Sequence, residues 1–419
     1  MNKILLADLI EDQRARFLER ECGIERDVAF QKWLNHDRVI VISGVRRCGK
    51  STLMRQFAAT QPDFHYLNFD DERLLEFSVT DFDQLVQCFH ERSPSRLLLL
   101  DEIQNIPAWE RFVRRVHDDN YKVVITGSNA HLLSAELGTH LTGRYLKFEL
   151  FPFSFNEFLR SSEVDATGRT TEDKARIFSA YNDYLALGGF PEFFKTRSIE
   201  ILQQTYEDII FRDIITRYGL RDVKGFQGLA HYLYTNFTSE MNYMRLQKLL
   251  NFSSPASVRK YIGYLEQAYL LCEIKRFDYS LKKQHVSGKK IYAIDNAMRN
   301  AISFKFSMDR GRLLENLIYL ELRRTGQDVY FFRENNECDF IVCNDKETLC
   351  IQVTQNLGLE NKQREVAGLA EALSVVRNGR GLIITESQDE DIILPSGDKI
   401  QVLPAWRWLV QSSRMRGLV

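Results

Sequence analysis

Gly44-Val45-Arg46-Arg47-Cys48-Gly49-Lys50-Ser51-Thr52 decides the fold of this 419-residue chain. It satisfies the pattern G-x-x-x-x-G-K-[ST] in full. The β-branched run Val39-Ile40-Val41-Ile42 precedes it, and Leu53, Met54 and Phe57 follow at helical spacing. Strand, glycine loop and helix start together aim backbone N–H groups and a helix N-terminus at a polyphosphate. Gly44 and Gly49 let the backbone close around an anion without a Cβ in the way. The backbone of 44–52, Val45, Arg46, Arg47, Cys48 and Thr52 included, is the expected cradle. Lys50 is expected to reach the β/γ oxygens and Ser51 to ligate Mg²⁺.

Working outward, Leu97-Leu98-Leu99-Leu100-Asp101-Glu102 reads as a buried strand whose carboxylates emerge at the ligand crevice. Asp101 is expected to hold Mg²⁺ through water, and Glu102 to orient and deprotonate the attacking water. The next strand ends Thr126-Gly127-Ser128-Asn129. Asn129 or Ser128 either senses the γ-phosphate there or caps a helix starting at His131. Arg144, in Leu141-Thr142-Gly143-Arg144, either stabilises charge in a neighbour's site or pairs with a local acid.

The strands expected around these motifs are 39–42, 65–69, 97–100, 123–126 and 146–150, alternating with helices as in a parallel α/β layer. The last three read as buried on both faces. Residues 5–36 read as helix. From 172 to about 236 the pattern is helical, broken at Gly188-Gly189-Phe190-Pro191. Residues 241–299 read as helix, turn, helix, strand, basic turn, strand, with Ser253 or Ser254 capping the second helix. A further α/β unit begins near Arg310. The divisions that follow are 1–160, 161–238, 239–305 and 306–419.

Bulk composition narrows the class. With 44% hydrophobic and 27% charged residues, the chain has ample material for packed cores. No apolar run approaches the ~20 residues of a membrane span, and no signal-peptide pattern opens the chain. Seven cysteines without a C-x-x-C pair argue against a disulfide framework or a zinc site. A cytoplasmic protein is the expectation. The net charge of −1 hides a local excess: residues 240–312 carry fourteen Lys/Arg against six Asp/Glu. Lys275-Arg276, Lys282-Lys283 and Lys289-Lys290 form a basic stripe suited to phosphate backbones, so DNA is an expected partner. The same stripe also suits a rigid spacer or a protein-contact module.

Gly44–Thr52, Leu97–Glu102, Thr126–Asn129 and Leu141–Arg144 together resemble the AAA-type P-loop ATPases, in which a glycine–arginine pair before the last core strand often supplies an arginine finger. More finely, the chain resembles a prokaryotic ATPase family that joins such a core to a helical lid, a winged helix and a C-terminal restriction-endonuclease-like α/β domain. Gly188–Glu192 matches that family's glycine–proline turn. The resemblance implies ATP and Mg²⁺ as ligands, with Lys50, Glu102, Asn129 and Arg144 as catalytic candidates; the lack of an N-K-x-D motif also favours ATP. It further implies a nuclease-like site of a helical acid, a strand aspartate and E-x-K. Glu315 and Asp339 match the first two, but Gln352-Val353-Thr354 stands where Glu and Lys belong. Lys362 or Arg364 on the following helix is the expected substitute cation. The expectation is a vestigial nuclease site beside a working ATPase whose cycle gates DNA binding. The alternatives are an ATP-locked switch acting on a partner protein or a second copy, and an active ATP-dependent nuclease.

Overall fold

The computed structural model describes residues 1–128, 141–303, 309–344, 347–394, 397 and 399–416. Two compact units divide the chain, Met1–Phe151 and Pro152–Val419.

The first unit runs α1 (Lys3–Glu19), α2 (Phe30–Asn35), β1 (Val39–Ser43), α3 (Lys50–Ala58), β2 (His65–Asn68), α4 (Phe82–Arg92), β3 (Leu97–Asp101), α5 (Trp109–Asp118), β4 (Lys122–Gly127) and β5 (Tyr145–Glu149). Its sheet is parallel throughout, in the order β2-β3-β4-β1-β5. Every residue of β1 and β3 is buried, as continuous apolar runs in a two-faced sheet require. Register pairs Ser43 with Gly127 and Asn68 with Asp101, so these strand ends share one edge. That edge is where a parallel sheet opens toward its ligand.

Two expectations need correction here. β5 is not buried on both faces: Lys147 is exposed and its neighbours only half-buried, because β5 closes the sheet edge. The segment 5–36 is not one helix. α1 ends at Glu19, and the extended backbone of Arg20 leads the chain toward Gly23 at φ +62°. The following loop is pinned to α3 instead, with Gln56 Nε2 donating to the carbonyls of Cys22 and Ile24 at 2.7 Å each. α1 itself buries Leu6, Leu9, Ile10 and Phe17, and Phe17 stacks on Tyr66 at 3.9 Å between ring centroids.

The second unit opens with helices α6 (Phe155–Ser161), α7 (Thr171–Leu187), α8 (Pro191–Thr196), α9 (Ile199–Asp208) and α10 (Val223–Thr235). Then follow β6 (Glu240–Met241), α11 (Tyr243–Leu249), α12 (Pro255–Gln267), β7 (Leu271–Lys275), α13 (Leu281–Val286), β8 (Lys289–Ala293) and α14 (Asn296–Ile302). The strands form an antiparallel sheet in the order β6-β8-β7. Ser254 is the cap of α12, accepting the Ser257 N–H at 3.1 Å. The expected basic turn is itself a helix, α13.

The chain closes with α15 (Arg310–Arg324), β9 (Asp328–Arg333), β10 (Glu337–Cys343), β11 (Thr348–Val353), α16 (Lys362–Val375), β12 (Gly379–Thr385), β13 (Glu390–Ile393), β14 (Lys399–Pro404) and α17 (Ala405–Arg416). Its mixed sheet has the order β13-β14-β12-β11-β10-β9. α16 packs on β10, β11 and β12 over a core that includes Ile341, Cys350, Leu369 and Ile383. The three-stranded sheet joins this one at its β9 edge, where Phe277 donates its N–H to the Phe331 carbonyl at 2.7 Å.

Candidate functional site

Between β1 and α3 the chain makes the turn that its glycines require. Gly44 has φ +157°, and a Cβ there would lie 2.1 Å from the Leu150 carbonyl oxygen. Gly49 has φ +99° and leads straight into the first turn of α3. Val45 and Cys48 are fully buried, so the loop offers backbone rather than side chains from these positions. Cys48 Sγ approaches the Leu150 carbonyl at 3.4 Å, and Arg26 donates to the carbonyls of Cys48 (3.0 Å) and Phe151 (2.6 Å). The loop is therefore braced from below. Its open side is left to Lys50, whose ammonium donates to the Gly44 and Val45 carbonyls at 3.2 Å each.

The acids stand across from that ammonium. Glu102 Oε1 lies 4.0 Å from Lys50 Nζ. Burial pushes the Glu102 carboxyl above its usual range and Asp101 adds to the rise, while Lys50 opposes both. Asp101 is buried at the end of β3, taking hydrogen bonds from Tyr66 Oη (3.3 Å) and from the Thr126 hydroxyl. Thr126 Oγ1 also accepts the Glu102 backbone N–H at 2.9 Å. That bond holds Glu102 in the left-handed conformation, φ +51°, that turns it out of the strand. Ser51 and Asp101 share a cleft with Arg20, Arg55, Tyr66 and Asn68. Arg20 makes no hydrogen bond or ion pair among the described residues, whereas Arg55 donates to the Phe17 and Glu21 carbonyls.

The loop, Lys50, Ser51, Asp101 and Glu102 are thus brought together. Arg144 is not with them. The Arg144 carbonyl accepts the Val39 N–H at 3.0 Å, at the opposite end of β1 from the loop, and its guanidinium pairs with Asp118. Asn129 lies outside the described residues. Thr126, Tyr66 and Arg20 escaped the reading of the sequence. The polar residue inside β4 was the available signal for the first, and nothing local marked the other two.

In the second unit, Glu315 on α15 and Asp339 on β10 do converge, and so does Gln352 on β11. Asp339 Oδ2 accepts the Val353 N–H at 2.9 Å, and the Asp339 N–H donates to Gln352 Oε1 at 3.3 Å. Gln352 Nε2 donates to Glu365 of α16 at 2.6 Å. Thr354 turns away toward the Asn356 carbonyl. Neither expected substitute is the cation present: Lys362 pairs with Glu390 and Arg364 with Glu365. The ammonium in the centre belongs to Lys290 of β8, which lies 3.0 Å from Glu315 Oε1 and 3.3 Å from Asp339 Oδ1.

The basic stripe is corrected by the same geometry. Lys289 and Lys290 are both buried. Lys289 caps the end of α13, donating to the Gln284, His285 and Ser287 carbonyls. Among the described residues, no helix is long and apolar enough to cross a membrane.

Residues 36–159 match the family described as AAA domain, and residues 179–309 match a domain of unknown function, DUF8612. The uncharacterized protein MJ1544 of Methanocaldococcus jannaschii is 33% identical in an alignment 427 positions long that covers 97% of this chain and 95% of that one. An uncharacterized Haemophilus influenzae protein is 30% identical, across 94% of this chain and 99% of its own. Among solved structures, the Walker-type ATPase PABY2304 of Pyrococcus abyssi aligns over 68% of this chain and 99% of its own, at 13% identity and a TM-score of 0.42.

Proposed function

The chain belongs to one family with the Methanocaldococcus jannaschii and Haemophilus influenzae proteins, and we propose that it is a Mg²⁺-dependent ATPase. One observation carries the reading: the Lys50 ammonium and the Glu102 carboxylate face each other at 4.0 Å across the mouth of the 44–49 loop. In this reading the loop N–H groups take the β- and γ-phosphates. Lys50 leaves the Gly44 and Val45 carbonyls for the phosphate oxygens. Ser51 and Asp101 are the residues that would hold Mg²⁺, which supplies charge neutralisation when bound. Glu102 orients the attacking water and accepts its proton. Arg144 remains a candidate only for the site of a second copy.

Glu102→Gln tests the assignment. ATP binding is expected to persist while turnover falls by about 10²-fold or more. Unchanged turnover removes Glu102 from the mechanism, and absence of ATP binding in the wild type removes the function itself.

We further read residues 239–305 as a winged helix and 306–419 as a restriction-endonuclease-like domain without nuclease activity, together forming a DNA-binding half gated by the ATPase. This is favoured by exposed Arg245, Lys248, Arg259, Lys260, Lys275, Lys282 and Lys283 in the helix–turn–helix and hairpin region. The logarithm of the affinity for duplex DNA is then expected to fall linearly with log salt, and binding to weaken in Lys282→Ala/Lys283→Ala. Salt-independent binding, or none, leaves a protein partner as the reading.

A further inference from the structure

Lysines 289 and 290 are neighbours on β8, so their side chains leave opposite faces of that strand. Both are nevertheless buried, because one face meets α13 and the other meets the six-stranded sheet. Lys290 enters the carboxylate centre of that second sheet. Its Nζ lies 2.5 Å from Glu337 Oε1, 3.0 Å from Glu315 Oε1 and 3.3 Å from Asp339 Oδ1. Its side chain is only 3% exposed. Tyr292, two residues along the same strand face, donates its hydroxyl to Glu315 at 2.7 Å.

If the resemblance held in full, Glu315 and Asp339 would carry a divalent ion. The residues present do not fit one. The oxygens such an ion would draw together are already turned onto an ammonium. The strand position that should add a carboxylate carries Gln352, whose amide is spent on Glu365 and on the Asp339 N–H. Three carboxylates surround the one ammonium, so each position an ion would take faces a cation already in place.

We propose that Lys290 is the built-in cation of this centre: its ammonium occupies the space between Glu315, Glu337 and Asp339, keeps divalent metal out, and joins the three-stranded sheet to the six-stranded one. The lysine comes from outside the domain that supplies the carboxylates, so neutralising the centre and joining the two sheets are one event. Removing the charge while leaving the methylenes should unmask the carboxylates to metal. Removing a carboxylate as well should relieve the imbalance.

The test is Mn²⁺ binding to the nucleotide-free full-length chain, followed by the electron paramagnetic resonance of free Mn²⁺, with circular dichroism for folding. Wild type is expected to show no Mn²⁺ binding that Asp339→Asn abolishes. Lys290→Met is expected to gain about one site per chain, at least tenfold tighter than anything in wild type, and to lose it again in Lys290→Met/Asp339→Asn. A wild-type site abolished by Asp339→Asn overturns the proposal, as does a folded Lys290→Met that gains none. Should Lys290→Met fail to fold, recovery of folding in the double variant supports the charge-balancing role. A double variant as unfolded as the single one refutes it.

Discussion

The Thr126 hydroxyl donates to the Asp101 carboxylate one strand away, and the same oxygen accepts the backbone N–H of Glu102 at 2.9 Å. One side chain therefore sets the position of both acids. Thr126→Val keeps the shape and removes both bonds. Turnover is expected to fall about ten- to a hundredfold, with ATP affinity changed far less and Thr126→Ser recovering most of the rate. Steady-state ATPase assays with a parallel nucleotide-binding titration decide it, and a Thr126→Val rate within twofold of wild type contradicts it.

Arg20 reaches the Ser51–Asp101 cleft from just beyond α1 without an ion-pair partner among the described residues. A guanidinium so placed favours the ligand with more negative charge. Arg20→Ala is expected to weaken ATP by about tenfold while leaving ADP within a factor of about two. Calorimetric titration of both nucleotides checks this, and equal losses for the two would show that Arg20 does not read the γ-phosphate.

The turn at Gly188-Gly189 is clasped by Asp295. Its carboxylate accepts the N–H of Gly189 at 2.6 Å and those of Ala297 and Met298 at 2.8 and 3.1 Å. Asp295→Ala strands three donors and is expected to cost about 2–4 kcal/mol. Gly188 has φ +62°, and a Cβ there would lie 2.2 Å from Asp295 Oδ1, so Gly188→Ala is expected to cost a similar amount. Because Asp295→Ala clears that space, the double variant should lose less than the sum of the two. Urea unfolding of the four proteins gives the cycle, and strict additivity would deny the coupling.

His65 is buried, its ring stacked on Phe89 at 4.6 Å and its Nε2 3.1 Å from the Ser95 carbonyl. Burial pulls its pKa down to about 4. The unfolded chain protonates this group near 6.5, so between those values the unfolded state binds the extra proton. The stabilisation is complete above about pH 6.5 and is lost as pH falls through about 4, amounting to at most about 3 kcal/mol. His65→Phe is expected to flatten the pH dependence of urea stability across that window. A wild-type-minus-variant difference constant from pH 7.5 to 4.5 would contradict it.

How much of this was legible depends on how far apart the partners lie in sequence. The 44–52 loop was readable because strand, turn and helix follow one another, and Asp101-Glu102 because a tetraleucine run announces a buried strand end. Thr126 was visible as a polar residue in an apolar strand, but its partners follow from β3 lying beside β4, which no local pattern encodes. The half-buried state of β5 was legible, since Lys147 and Glu149 alternate with Leu146, Phe148 and Leu150, and reading the strand as buried on both faces passed over that alternation. Lys290 is the sharpest case. Counting charges made it part of a basic surface, whereas its carboxylates lie 25 and 49 residues downstream. Alternation along β8 predicts opposite directions for Lys289 and Lys290, but not that a second sheet waits on the far side.

Gly44, Cys48 and Arg26 all lean on Leu150 or Phe151. The floor of the loop is therefore the last stretch of chain before the second unit begins at Pro152. A loop built this way has an outlet. A displacement of its backbone on gaining or losing an anion would press first on residues 150 and 151. The glycine at 44 then does double duty, as the gap that lets the loop close and as the space into which the Leu150 carbonyl fits.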